Sequence, residues 1–183
     1  MVEEGTVSEA DALARKHPIA AFSLDALTAG AAKLRPERLA LAKAGPGTTR
    51  RTLTYGEFDA QVRALAEHFV DLGLAPGERV MILAGARTAC VVATLAARAA
   101  GIEPLLVPIG NEAQRLGAIA SSTGCAAVMG PTSYAALDLE AALFEAAASS
   151  EMVRFVATLS PGQADGAIDL APERLHLSMP NFR

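Results

Sequence analysis

TLTYGEFDAQVRALAEHFVDLGLAPGERVMILAGARTACVVATLAARAAGIEPLLVP, residues Thr52 to Pro108, alternates short β-like runs with helix-like ones, and its reading decides the fold. Thr54 followed three positions later by Glu57 is a capping box. The threonine hydroxyl accepts from the Glu57 N–H while the carboxylate reaches back to the Thr54 N–H, so a helix is expected to begin here. Tyr55, Phe58, Val62, Leu65, Ala66 and Phe69 recur at steps of three and four, with Asp59, Arg63 and Glu67 outside that stripe. Gly73 ends the helix, because glycine accepts the left-handed conformation that closes one. Pro76-Gly77 is a turn, and Arg79 leads into Val80-Met81-Ile82-Leu83-Ala84, apolar on both faces as a central parallel strand is. Thr88 is expected to cap a helix from Ala89 to Ala100 that is small and apolar nearly all round, hence buried, and Gly101 stops it. Leu105-Leu106-Val107 is the next strand, with Pro108 ending its pairing.

Upstream, Leu39-Ala40-Leu41-Ala42 reads as a strand, preceded by a helix capped by Ser23 that carries Leu24, Leu27, Ala31 and Leu34 and is ended by Pro36. The segment before that admits either a short helix capped at Ser8, with Asp11, or a disordered terminus. Gly45-Pro46-Gly47-Thr48-Thr49-Arg50-Arg51 has the composition of a phosphate loop. A phosphate cradle, however, needs a strand before it and a helix N-terminus directly after it. Here two β pieces flank the stretch and the helix waits until Thr54, so it reads as a hairpin turn.

Downstream, Asn111 with Gln114 forms a second capping box, opening a helix with Leu116, Ile119 and Ala120 on one face and Gly124 at its end. Ser121-Ser122-Thr123-Gly124 therefore lies at a helix C-terminus, where free carbonyls repel phosphate. Cys125 to Met129 is the following strand. Thr132 or Ser133 is then expected to cap an alanine-rich helix through Ala148, with Leu137, Ala141 and Phe144 as its inner face. Val153 to Ala157 is the last strand, and the remainder reads as loop.

Repeated alternation of strand and helix implies an α/β fold: a mostly parallel sheet flanked by helices on both faces. Residues 1–21 form a lead-in, residues 22–170 a single α/β domain and residues 171–183 a tail. Ligands of such sheets bind beyond the carboxyl ends of the strands, which places the candidate loops at Gly85 to Thr88, Ile109 to Glu112 and Gly130 to Ser133. Their one cation, Arg87, reads as a solvated charge, and their amide, Asn111, as a helix cap.

The charge balance excludes other classes. A net charge of −4 offers no general attraction to nucleic acid or to an anionic membrane. Cys90 and Cys125 sit in apolar surroundings that suit small buried thiols. His17, His68 and His176 are isolated, and no metal-ligand spacing or Ser-His-Asp set is present in the sequence. An acidic amino terminus without a signal-peptide pattern, and no apolar run long enough to span a bilayer, lead to the expectation of a cytoplasmic chain.

Leu53-Thr54-Tyr55-Gly56-Glu57-Phe58 resembles the Leu-Thr-Tyr-x-Glu-Leu motif of the adenylate-forming (AMP-binding) superfamily, which includes the acyl-CoA synthetases. Arg98-Ala99-Ala100-Gly101, leading to Pro108, resembles the lysine-alanine-glycine motif of the same family. The resemblance implies the N-terminal part of an enzyme that activates a carboxylic acid with ATP through an acyl-adenylate, then passes the acyl group to coenzyme A. It implies ATP, Mg and coenzyme A for a full-length relative and none of them for these residues alone. The family's glycine-, serine- and threonine-rich ATP loop has no counterpart here, so no catalytic, cofactor-binding or metal residue is assigned. The chain is accordingly expected to be a truncated, inactive portion of such a ligase, with self-association through apolar surface that a parent would cover. The alternative is a free-standing, non-catalytic α/β binding or interaction module.

Overall fold

The computed structural model describes residues 24–42, 52–85, 87–110, 113–135, 137–160 and 164–172. The expected caps at Ser8, Ser23 and Asn111, the Gly45 to Arg51 turn, the lead-in and most of the tail lie outside the described residues.

Helix α1 (Leu24–Leu34) is followed by β1 (Leu39–Ala42), which pairs antiparallel with β2 (Thr52–Thr54). The expected apolar stripe of α1 does not face the core. Leu24, Leu27 and Leu34 are exposed and Ala32 is the buried contact, because α1 packs sideways on the next helix rather than on the sheet.

The capping box opens α2 (Tyr55–Asp71): Thr54 N–H donates to Glu57 Oε2 at 2.9 Å, and Glu57 N–H to Thr54 Oγ1 at 3.3 Å. Such caps contribute about 1 kcal/mol. The helix buries Phe58, Val62, Leu65 and Phe69 as its spacing predicts. It ends in a Schellman turn, with Gly73 at φ 79, Gly73 N–H on Val70 O and Leu74 N–H on Phe69 O. Asp59 corrects the sequence reading. It is buried although it lies outside the stripe, because α2 is covered by neighbouring helices as well as by the sheet. Its carboxylate accepts from Arg63 Nε at 2.8 Å, one helical turn away, which supplies a buried charge with a partner.

β3 (Arg79–Ala84), α3 (Thr88–Ala99) and β4 (Glu103–Pro108) complete the first βαβ unit, with β3 and β4 parallel from Arg79↔Glu103 to Ala84↔Pro108. Gly101 repeats the Schellman turn after α3, with Ile102 N–H on Ala97 O at 2.8 Å. Two expectations are overturned here. Arg87, not Thr88, occupies the N-cap of α3, and its side chain makes no cap bond. Pro108 does not end the strand but belongs to it, as does Pro104. β4 is the edge of the sheet; Glu103 N–H donates to Glu78 O and Ile109 N–H to Ala84 O, so the alternate positions, 104, 106 and 108, turn their backbone outward. A proline there sacrifices no ladder bond and blunts an edge that could otherwise recruit another strand.

The chain continues through α4 (Ala113–Thr123), β5 (Ala127–Gly130), a small hairpin of β6 (Ser133–Tyr134) and β7 (Leu137–Asp138), α5 (Glu140–Ala148), β8 (Phe155–Thr158) and β9 (Ile168–Asp169). The main sheet is parallel in all its pairings, in the order β4-β3-β5-β8-β9. Side chains alternate across it. Val80, Ile82, Ala127 and Met129 meet α2 and α3 on one face, while Met81, Leu83 and Val128 meet Leu116 and Ala120 of α4 and Leu143 and Ala146 of α5 on the other. The α/β architecture with helices on both faces is therefore as expected. Residues 133–138 are not: where a helix start was expected stands a hairpin, which leaves Leu137 exposed, and α5 begins only at Glu140, whose N–H is accepted by Asp138 Oδ1 at 3.0 Å. Leu143 and Ala146, rather than Ala141 and Phe144, are its buried residues. β9, read from sequence as loop, adds the fifth strand by pairing Ala157↔Ile168 and Thr158↔Asp169.

Candidate functional site

The strand order locates the site. From β3 the chain crosses to β4 on one side through α3, then returns past β3 to β5 through α4, so the crossovers diverge between β3 and β5. Doubly wound sheets open a crevice at the carboxyl ends of the strands at such a point. Gly85 and Arg87 follow β3, Ile109 and Gly110 follow β4, and Ser133 and Tyr134 come soon after β5.

These residues meet. The Arg87 guanidinium donates from Nη2 to Ser133 O at 2.7 Å, and its carbon lies 5.9 Å from the centre of the Tyr134 ring. The ring rests on Gly85: a Cβ there would stand 2.7 Å from Tyr134 Cε2 and 2.9 Å from Ile109 Cδ1, so glycine is what allows the ring so close. Arg87 is thus a bridge between two carboxyl-end loops, correcting its reading as a solvated charge. Asn111 lies outside the described residues. Sequence reasoning placed Ser133 in a candidate loop, but as a helix cap, and missed Tyr134, because the partner of each is remote in the chain and no local pattern marks a ring that packs on a distant glycine.

Below the crevice, Cys90 donates its thiol to Leu83 O at 3.5 Å, and burial pushes its pKa up, away from thiolate character. Cys125 is also buried, beside Thr123 Oγ1 at 3.2 Å. Both behave as the packed thiols expected. At the end of β8, the hydroxyls of Thr158 and Ser160 are buried and have no hydrogen-bond partner among the described residues, polar atoms of the carboxyl end that sequence reading passed over. His68, half-buried on α2, places Nδ1 2.8 Å from Ala64 O.

A triphosphate with its divalent cation requires several converging N–H groups, cations and a carboxylate ligand. Among the described residues the candidate loops offer the Arg87 cation, already engaged by Ser133 O and Tyr134. No group of three His, Cys, Asp or Glu among the described residues could hold a metal ion. The described residues therefore do not fit the phosphates or the metal. Ser121 to Gly124 lies at the C-terminal end of α4, where Thr123 Oγ1 turns back onto Ile119 O at 2.6 Å.

A second cleft, of about 380 Å³, opens at the amino ends of the strands. Its arginines are paired: Arg79 with Glu103 at 2.8 Å and with Thr123 O at 2.7 Å, Arg154 with Glu78 at 2.6 Å. The Glu78–Arg154 pair ties the lead of β3 to the lead of β8 across β5. The Ala75 N–H, donated to Glu78 Oε2 at 2.7 Å, is the main cause holding this carboxyl below its ordinary range; partial burial opposes it and Arg154 adds to it. A depressed folded value means that the contribution to stability is present above the unfolded value, about 4.3, and is lost as pH falls through the lower folded one. Glu78→Gln is therefore expected to lower stability at neutral pH and to flatten the acid side of the stability profile. Denaturant midpoints measured from pH 7 down to pH 3 check this, and a variant that follows the wild-type profile refutes it.

Comparison with known proteins agrees with this fold. The AMP-binding enzyme family matches residues 29–175. The salicyl-AMP ligase / salicyl-S-ArCP synthetase of Mycobacterium tuberculosis is 33% identical over 105 residues, 56% of this chain and 19% of that protein. Long-chain fatty acid transport protein 1 of Homo sapiens is 30% identical over 115 residues, 63% of this chain and 17% of that protein. Acetoacetyl-CoA synthetase from Streptomyces lividans shares the fold at a TM-score of 0.73 and 24% identity, over 82% of this chain and 24% of that one. The apo structure of Mycobacterium smegmatis MbtA does so at 0.71 and 23% identity, over 86% and 27%. The chain thus spans under a fifth of the curated relatives it matches. No described helix is long and apolar enough to cross a membrane. With the family's match running from α1 through β9 and the parallel sheet in place, the chain belongs to the AMP-binding enzyme family.

Proposed function

We propose that these residues are the N-terminal scaffold of an AMP-forming carboxylate ligase. In that reaction a carboxylate oxygen attacks the α-phosphorus of ATP and pyrophosphate leaves; the thiol sulfur of coenzyme A then attacks the acyl carbon and AMP leaves. The observation that carries this reading is the family's match over residues 29–175, which spans every strand of the parallel sheet. The part played by these residues is positional. Two apolar cores hold the strands in register, and the strands set the carboxyl-end loops against which the rest of a longer relative would assemble. Phosphate handling is assigned outside them, since the described loops lack the donors and cations for it.

Pyrophosphate exchange into ATP, measured on the 183 residues with a panel of carboxylic acids, is expected to stay at background. Exchange well above background would overturn the assignment of phosphate handling elsewhere. Reading the coding sequence past Arg183 tests the ligase reading separately. An in-frame glycine-, serine- and threonine-rich loop supports it, and a stop codon at that point favours the non-catalytic module.

A further inference from the structure

The β6–β7 hairpin lies where the topology opens the crevice, and its manner of attachment is specific. Each of its strands has two residues, paired Ser133↔Asp138 and Tyr134↔Leu137, too short to be stable on their own. Ser133, Ala135, Leu137 and Asp138 are exposed, so the hairpin buries little of itself. Ala135 holds φ at 53, a conformation that an L-residue with a side chain rarely takes. What seats the hairpin is the Tyr134 ring on Gly85, and the Arg87 guanidinium that both caps Ser133 O and faces that ring. At its base, Leu139 N–H donates to Thr132 O at 2.9 Å and Leu139 is buried, fixing one hinge point on the core.

We propose that the β6–β7 hairpin is a lid over the crevice between β3 and β5, with Tyr134 as its plug and Arg87 as the latch that holds it shut. Opening lifts the ring off Gly85 and leaves Gly85, Ile109 and the released guanidinium facing the crevice. Among the described residues the closed state rests on one ring contact and one charged side chain rather than on a broad apolar interface, so it is a low-stability unit that opens without unfolding the sheet. Any occupant of the crevice must therefore displace Tyr134, and the lid sets access to it. This inference stands independently of the ligase reading.

Residue-resolved amide hydrogen exchange tests it. In Arg87→Ala, the amides of Ser133, Tyr134, Leu137 and Asp138 are expected to exchange at least about tenfold faster, as loss of a hydrogen bond and a cation–π contact implies, while those of β3 and β5 keep their wild-type rates. Gly85→Ala removes the seat without touching Arg87 and is expected to open the same amides. A second readout uses the two tyrosines of the chain and its lack of tryptophan: in a Tyr55→Phe background Tyr134 is the single tyrosine, and its emission should become more accessible to acrylamide in both variants. Hairpin exchange and quenching at wild-type levels in both variants would overturn the proposal. So would equal acceleration across β3 and β5, which would make Arg87 a brace of the whole fold rather than a latch.

Discussion

Phe69→Ala is expected to lower the unfolding free energy by about 3–5 kcal/mol, read from the midpoint of urea denaturation. The ring is fully buried on α2, in the core shared with α3 and the sheet strands. Its removal costs the transfer of the aromatic group and leaves a cavity that the close-packed small residues of α3, Ala93, Ala96 and Ala97, cannot collapse into without moving a helix. The loss lies one turn from the Schellman stop, where Leu74 N–H is held by the carbonyl of Phe69 itself. A domain of this size has a total stability of about 5–15 kcal/mol, so the variant should populate unfolded chains at physiological temperature. A loss under about 1 kcal/mol would mean that α2 is not docked as described.

Gly130→Ala is the second large effect, expected to destabilise by about 1–3 kcal/mol in the same measurement. Gly130 closes β5, and a Cβ there would lie 2.8 Å from Leu83 Cβ, 3.2 Å from Leu83 Cδ1 and 3.3 Å from Leu143 Cδ2. Leu83 Cβ is rigidly attached to the neighbouring central strand, so it cannot swing aside as the tip of a long side chain could. Parallel pairing on both sides of β5 prevents the strand from shifting as a compensation. Gly30→Ala is the control of opposite sign. Nothing lies within 4 Å of a Cβ at that position in α1, so alanine should stabilise by about 0.5–1 kcal/mol through helix propensity alone. If both alanines acted alike, the close approach at Gly130 would not be what constrains it.

The elements readable from the chain were those whose causes lie within a few residues. The Thr54–Glu57 box, the stripe from Phe58 to Phe69 and the glycine stops at 73 and 101 are local chemistry, and each stands where its pattern places it. The uninterrupted apolar run of β3 likewise marks a central strand buried on both faces. The resemblance to the AMP-binding family rested on these same residues, because motifs made of caps and turns survive as local geometry. The candidate loops at the carboxyl ends were legible from alternation, but the residues that meet there were not. Tyr134, Ser133 and Arg87 form their cluster only once β3 and β5 lie side by side.

By itself, then, the sequence determined the parallel α/β class, the start of α2, the glycine stops of α2 and α3, and the buried setting of both cysteines. Tertiary structure alone decided the rest. Pro104 and Pro108 stay in β4 because an edge strand has a side that needs no N–H donors. Asp59 is buried because neighbouring helices close over α2, and β9 is a strand because β8 offers it a free edge. The segment from Ser133 to Asp138 folds as a hairpin rather than a helix because Gly85, nearly fifty residues earlier, leaves the space into which Tyr134 packs. Hydrogen bonding to the next few residues is encoded locally; the choice of which distant surface is left uncovered is made only when the chain has closed on itself.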